Sequence, residues 1–193
     1  MLKLAVLGST RGTDLDAIVS AIDEGILNAT IKLVISNKEN AYILKRAEKN
    51  NIKSMFLSDY SVTREEYGNL LNKIFIDNNV DIVLLIGFMR ILSKSFCKKW
   101  DNKILNVHPS LLPKYAGGIN NNVHRDVLKN KDSETGCTIH YVTANVDSGP
   151  ILIQKKCEVQ PGDTIESLKD RVQDLEGQAF IEALHLIENK NYA

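Results

Sequence analysis

The stretch KLAVLGSTRGTDLDAIVSAIDEGIL, residues 3–27, decides the fold. Lys3–Leu7 is a short, nearly continuous apolar run ending at Gly8, which suits a central strand buried on both faces. After the loop Gly8–Thr13, the side chains Leu15, Ile18, Val19, Ile22 and Ile26 fall on one stripe of a helix. Strand, tight loop and amphipathic helix then recur. Ile31–Ile35 predicts a strand and Ala41–Asn50 a helix. Ser54–Leu57 predicts a strand before a helix over Thr63–Asn78, whose first turn carries Glu65 and Glu66 as the helix dipole favours. Ile82–Ile86 (IVLLI) is the most apolar strand, and a short helix around Ser93–Trp100 leads to a strand at Ile104–His108. Such alternation argues for a parallel sheet with helices on both faces, a doubly wound α/β fold.

The pattern changes after His108. All four prolines, the pair Gly117-Gly118 and the run Asn120–Asn122 lie beyond it, so the segment reads as a long loop of the kind that is usually functional. Strands near Thr138–Val142 and Ile151–Val159 follow, then an amphipathic helix from about Thr164 to Glu188. At 193 residues, one domain spanning residues 1–193 is the expectation. The chain is 44% apolar, enough for a sizeable core, and 24 basic side chains balance 24 acidic ones. That balance argues against non-specific binding to nucleic acid or an anionic membrane. No apolar run approaches the ~20 residues of a membrane span, and the N-terminus has no small-residue cleavage site. Cys97, Cys137 and Cys157 are too scattered for a disulfide framework or a CxxC site, so a cytoplasmic protein is expected.

Ligands of open α/β sheets bind at the carboxyl ends of the strands, which places Gly8–Asp14, Gly87–Leu92 and Asn106–Pro113 together as candidates for one cleft. The first of these, GSTRGTD, opens a helix, and the backbone there suits an anion with Gly12 allowing close approach. The same glycines also serve a plain turn with Thr13 or Asp14 as the cap. The loop matches neither the dinucleotide GxGxxG nor the Walker motif. In NVHPSLLPKY, Asn106 and His108 stand two apart at a strand end and share a face. An amide donor beside an imidazole meets the needs of acyl transfer, to stabilise an oxyanion and handle protons; a lone histidine there would equally serve structure. Asp147, in NVDSGPIL, reads as a turn former unless the fold carries it to His108. His124, His140 and His185 lack metal-ligand spacing and read as structural or exposed. Lys45, Arg46 and Lys49 read as a solvated helix face.

On GFMRIL (Gly87–Leu92), LNVHPSLLPKY (Leu105–Tyr115), VDSGPIL (Val146–Leu152) and RVQDLEG (Arg171–Gly177), essentially the whole chain resembles the 10-formyltetrahydrofolate-dependent formyltransferases. The branch it is most similar to acts on glycinamide ribonucleotide in purine synthesis. The resemblance implies a mostly parallel seven-stranded sheet and three catalytic groups. Asn106 would donate to the formyl oxygen, His108 as imidazolium would stabilise the oxyanion, and Asp147 would hold His108 charged and accept the amine proton through a water. Folate recognition would fall to Arg64, to Met89, Arg90, Ile91 and Leu92, to Asn106, and to the loop Thr143–Asp147 with Thr143 and Val146. The ribonucleotide would sit on Arg11, Gly12, Thr13 and Asp14, with its sugar hydroxyls near Gln173 and Glu176. The larger relatives that act on methionyl-tRNA or hydrolyse formyltetrahydrofolate carry additional domains for which this length leaves no room. Two departures concern the acceptor. The family's usual asparagine is replaced by Asp14, beside an unusual Arg11, and AGGINNNVH (Ala116–His124) replaces a Pro-Gly-x-His-x-His segment.

The expected reaction is direct transfer from 10-formyltetrahydrofolate to a primary amine through a tetrahedral intermediate. No serine or cysteine has the context of an activated nucleophile, and no metal is called for. Both substrates are small molecules, and the expected assembly is a monomer or homodimer. A sugar amine N-formyltransferase is the enzymatic alternative; a catalytically silent folate- or nucleotide-binding protein is the non-enzymatic one. His108 is expected to have a raised pKa and Asp147 a depressed one. A carboxylate facing a phosphate is costly, so Asp14 is expected either to turn inward as a helix cap or to be offset by Arg11 folding over the site.

Overall fold

Alternation along the first strand sets the architecture of the chain, whose computed structural model describes residues 1–118 and 121–191. In β1 (Leu2–Leu7), Leu4 and Val6 face one helical layer while Ala5 and Leu7 face the other. The strands β2 (Ala29–Ser36), β3 (Ser54–Phe56), β4 (Ile82–Leu85) and β5 (Ile104–His108) join it in parallel. At one edge, β6 (Glu134–Tyr141) and β7 (Ile151–Glu158) add antiparallel. The seven-stranded order is β3-β2-β1-β4-β5-β6-β7, the doubly wound, mostly parallel sheet expected.

One layer is built by α1 (Thr13–Asp23), α2 (Tyr42–Lys49) and α6 (Ile165–Asn191), which bury Leu15, Ile18, Ile43, Val172 and Phe180 against Leu4, Val6 and Leu84. On the opposite face α3 (Arg64–Asp77) and α4 (Lys94–Lys99) bury Tyr67, Leu71, Phe75, Phe96 and Trp100 against Leu7, Leu33 and Leu85. The central strands β1 and β4 are therefore covered on both sides, which is why they read as nearly continuous apolar runs rather than as alternating ones. Thr63 and Glu66 form a reciprocal capping box at the start of α3, and the Ser93 hydroxyl caps α4. No helix among the described residues is long and apolar enough to cross a membrane.

Three expectations need correction. The first helix stops at Asp23, because Gly25 takes a left-handed φ of 72°; Ile26 falls beyond it and is 49% exposed. The segment after His108 is not all loop, since α5 (Asn121–Lys129) lies within it and packs on α6, with Val123 and Val127 buried. Two apolar residues one turn apart were too weak a stripe to stand out among asparagines. The strand expected at Thr138 begins at Glu134. Within the unusual stretch Ala116–His124, residues Ile119 and Asn120 lie outside the described residues.

Candidate active site

The strand order reverses between β1 and β4, and the loops that follow β1, β4 and β5 meet above that point. The first two loops are pressed together. Ser9 N–H donates to the Gly87 carbonyl (3.1 Å), and Met89 N–H donates to Ser9 Oγ (2.8 Å), which itself donates to Asn37 Oδ1 (2.6 Å). Gly87 has φ 60°, and a Cβ there would stand 2.3 Å from Thr10 Oγ1, so only glycine allows this contact. Between these loops, β5 and the segment after β6 lies a cleft of about 370 Å³, the size of a small-molecule site.

In the lining of the cleft, β5 presents Asn106 and His108 on one face, and β6 pairs antiparallel so that His140 stands opposite Asn106. The Asn106 amide nitrogen lies 3.1 Å from His140 Nε2, and His140 Nδ1 donates to the Tyr141 carbonyl (3.0 Å). His108 is 3% exposed; its Nε2 donates to the Tyr115 carbonyl (2.9 Å), leaving Nδ1 toward Asp147 Oδ2 at 3.8 Å. The other oxygen, Oδ1, is 3.6 Å from His140 Nε2, so a single carboxylate lies between two imidazoles. The loop is shaped to hold it there. Asp147 has φ 49°, uncommon for a residue other than glycine, and its Oδ2 accepts from Gly117 N–H (2.8 Å). Gly149 leaves no room for a side chain, since a Cβ would stand 1.8 Å from the Tyr141 carbonyl oxygen.

Burial alone would raise the Asp147 carboxyl, but His140, the Gly117 N–H and His108 together hold it below the usual range. His108 departs from the expectation. Burial lowers its pKa, and the second imidazole adds to this; Asp147 and the Tyr115 carbonyl oppose the shift without reversing it. At 3.8 Å the carboxylate is not a hydrogen-bond acceptor for Nδ1, so its support for the imidazolium is weaker than direct pairing would give. His140, read from sequence as structural or exposed, belongs to this cluster. Only the β5–β6 register brings it there, and spacing 34 residues away carries no trace of that register.

Met89, Arg90, Ile91 and Leu92 border the cleft, as do Thr143 and Val146. Met89, Ile91 and Val146 are about half exposed, a partly apolar wall, whereas Leu92 is buried in the core. The main-chain N–H and C=O groups of Arg90, Ile91 and Leu92 have no hydrogen bond to the described residues, leaving a free polar edge. The Arg90 guanidinium turns elsewhere. It pairs with Asp59 (3.2 Å), donates to the Val62 carbonyl (2.8 Å) and lies over the Tyr67 ring. Arg64 is exposed and borders an adjoining groove with Asp59, Met89 and Ile91 rather than the main cleft.

Arg11, Gly12, Thr13, Asp14, Gln173 and Glu176 line the same cleft. Gly12, with φ 64°, is the residue before α1, and no side chain among the described residues caps this helix, so its first N–H groups remain available. Neither arrangement expected for Asp14 is found. Arg11 is exposed, and Asp14 caps nothing. Instead Asp14 is buried beside Glu176 of α6. Burial raises the Asp14 pKa to about 7 despite Arg46, and burial next to Asp14 raises Glu176 well above the carboxylate range. Arg46 is likewise no solvated residue: it pairs with Asp16 and donates to the Arg11 carbonyl (2.8 Å), anchoring the first loop.

Residues 2–184 match the model of the formyl transferase family. The chain is 40% identical over 186 residues to the trifunctional purine biosynthetic protein adenosine-3 of Gallus gallus, covering 96% of this chain and 18% of that protein. It thus spans less than a fifth of the trifunctional relatives it matches. With a phosphoribosylglycinamide formyltransferase of Haemophilus influenzae it shares 39% identity over 93% of this chain and 84% of the relative. The crystal structure of glycinamide ribonucleotide transformylase 1 from Symbiobacterium toebii superposes with a TM-score of 0.93 at 34% identity, over 98% of this chain and 89% of the other.

Proposed function

The chain belongs to the formyl transferase family, and from that premise we propose that it moves the formyl group of 10-formyltetrahydrofolate directly onto the primary amine of glycinamide ribonucleotide, a step of purine biosynthesis. One observation carries the reading: Asn106, His108 and Asp147 converge in a cleft whose two arms suit two substrates. The arm at Met89–Leu92 combines an apolar wall with a free backbone edge, which fits a flat heterocycle bearing donors and acceptors. The arm at Gly12–Thr13 offers helix N–H groups to a phosphate, with Gln173 and Glu176 beside it for sugar hydroxyls.

In this mechanism the Asn106 amide donates to the formyl oxygen as it takes on negative charge. His108, held toward its neutral form at rest, takes up a proton from water in the cleft as that charge develops; its imidazolium stabilises the oxyanion and gives the proton back when the intermediate collapses. Asp147 favours that charged form and accepts the amine proton through a water; as the bond from the formyl carbon to the folate nitrogen breaks, that proton passes to the leaving nitrogen and tetrahydrofolate departs. No acyl-enzyme is involved. Ser110 Oγ is committed to the Lys114 carbonyl (2.6 Å), and burial raises the thiol of Cys97, the cysteine that borders the cleft. Arg90 contributes its main chain to the folate arm, while its guanidinium braces the loop from behind. Arg64 meets the exposed, charged tail of the folate at the adjoining groove. On this reading residues 1–193 act as one formyltransferase domain in the cytoplasm, as a monomer or homodimer, with small molecules as the only substrates.

The test is to incubate the protein with 10-formyltetrahydrofolate and a panel of amines and to follow tetrahydrofolate release by absorbance. Glycinamide ribonucleotide is expected to react at least a hundredfold faster than unphosphorylated sugar amines. Equal rates with both would overturn the assigned acceptor, and no release with any amine would overturn the enzyme.

A further inference from the structure

Asp14 and Glu176 are 4% and 8% exposed, line the cleft, and take no hydrogen bond or ion pair from the described residues. They come from helices that touch closely: a Cβ on Gly177 of α6 would stand 2.7 Å from the Cβ of Ala17 of α1. Two buried acids without donors do not both ionise at neutral pH.

The charged and titratable groups around them leave that conclusion standing. Arg46, on α2, is the cation that acts on Asp14, but its guanidinium is shared with Asp16 and the Arg11 carbonyl. Lys169, on α6, acts on Glu176 and also on His124 of α5. Cys137, on β6, faces both acids, and burial pushes its thiol up to about 12, so it remains neutral. Arg11 stands in solvent at the rim.

Resting on the reading above, which puts the acceptor's phosphate at the first loop, we propose that the acceptor binds only to the protonated form of this acid pair. Asp14 enters the complex as a neutral carboxyl that donates a hydrogen bond to the phosphate. An ionised Asp14 would repel the phosphate; a neutral one removes the repulsion and adds a donor beside the N–H groups of α1. The pair therefore selects phosphate monoesters through a proton that the complex must carry, and a neutral sugar amine would gain nothing from it. Where the free pair has lost that proton, binding takes one up, so acceptor affinity falls tenfold per pH unit.

The experiment is the KM for glycinamide ribonucleotide between pH 6.5 and 9 at saturating 10-formyltetrahydrofolate, with the folate KM measured in parallel. The acceptor KM is expected to be flat up to about pH 7 and then to rise about tenfold per unit, while the folate KM stays level. Loss of the acceptor's own amine proton over that range favours reaction, and so acts with the opposite sign. Asp14→Asn keeps a donor with no proton to lose; its acceptor KM should show no rise with pH and should lie below wild type at pH 8.5. Calorimetry of glycinamide ribonucleotide binding at pH 8, in two buffers of different ionisation heat, should show about one proton taken up by wild type and none by Asp14→Asn. A flat wild-type KM, an Asp14→Asn slope equal to wild type, or binding without proton uptake would each overturn the proposal while leaving the formyl transfer intact. Absence of transfer to glycinamide ribonucleotide at every pH would overturn both.

Discussion

Asp147→Asn separates charge from shape at the candidate active site. The amide can still accept from Gly117 N–H through its oxygen, so the loop geometry is retained. What it loses is a negative charge 3.8 Å from His108 Nδ1, on a side chain only 11% exposed. At an effective dielectric near 20 that charge is worth ~4 kcal/mol to an imidazolium, and at ~1.4 kcal/mol per decade the upper bound on the rate loss is about a thousandfold. The resting histidine is already held toward its neutral form, so the loss should fall on turnover rather than on binding. The assay is the turnover rate for tetrahydrofolate release at pH 7.5, with both KM values and the melting temperature measured on the same preparation. Turnover is expected to fall by roughly a hundredfold to a thousandfold, with KM values within about threefold and a melting point within a few degrees of wild type. Turnover within about threefold of wild type in a folded variant would remove Asp147 from the mechanism.

Gly149→Ala places a methyl where the Tyr141 carbonyl stands, so it should shift the Asp147 loop, destabilise by ~1–3 kcal/mol and lower turnover; an unchanged melting point and turnover would show that this contact relaxes freely. Leu92→Ala removes a core side chain at the folate arm and should cost ~2–5 kcal/mol of stability while raising the folate KM more than the acceptor KM; equal rises in the two would misplace the segment. His124 is buried, its Nδ1 has no hydrogen bond among the described residues, and burial, helped by Lys169, lowers its pKa from 6.5 to about 4. Because the folded pKa is depressed, the stability this group contributes is full above pH ~6.5 and lost as pH falls toward 4, a difference of about 3 kcal/mol. Denaturant midpoints between pH 7 and 4.5 should fall accordingly, and a variant His124→Asn with the wild-type slope would exclude this histidine as the cause.

Much of this protein is legible along the chain because its central strands are short and buried on both faces. Such strands must be apolar throughout, and the helices between them must each show one apolar stripe, so KLAVL, IVLLI and the stripe of Leu15, Ile18, Val19 and Ile22 carry the doubly wound fold in their local pattern. The same holds for Asn106 and His108, whose common face follows from the two-residue period of a strand. α5 escaped because its apolar stripe is two valines, and Ile26 misled because a glycine one residue earlier ended the helix before it. Three features were decided only by the tertiary structure. His140 reaches Asn106 through cross-strand register, Asp14 meets Glu176 through the packing of α1 against α6, and His108 is tilted toward its neutral form by what buries it. Periodicity records which side of an element is apolar, an intrinsic property of neighbouring residues. Register, the approach of distant helices and the desolvation of a charge depend on groups far away in the chain, and they take their values only once the sheet has assembled.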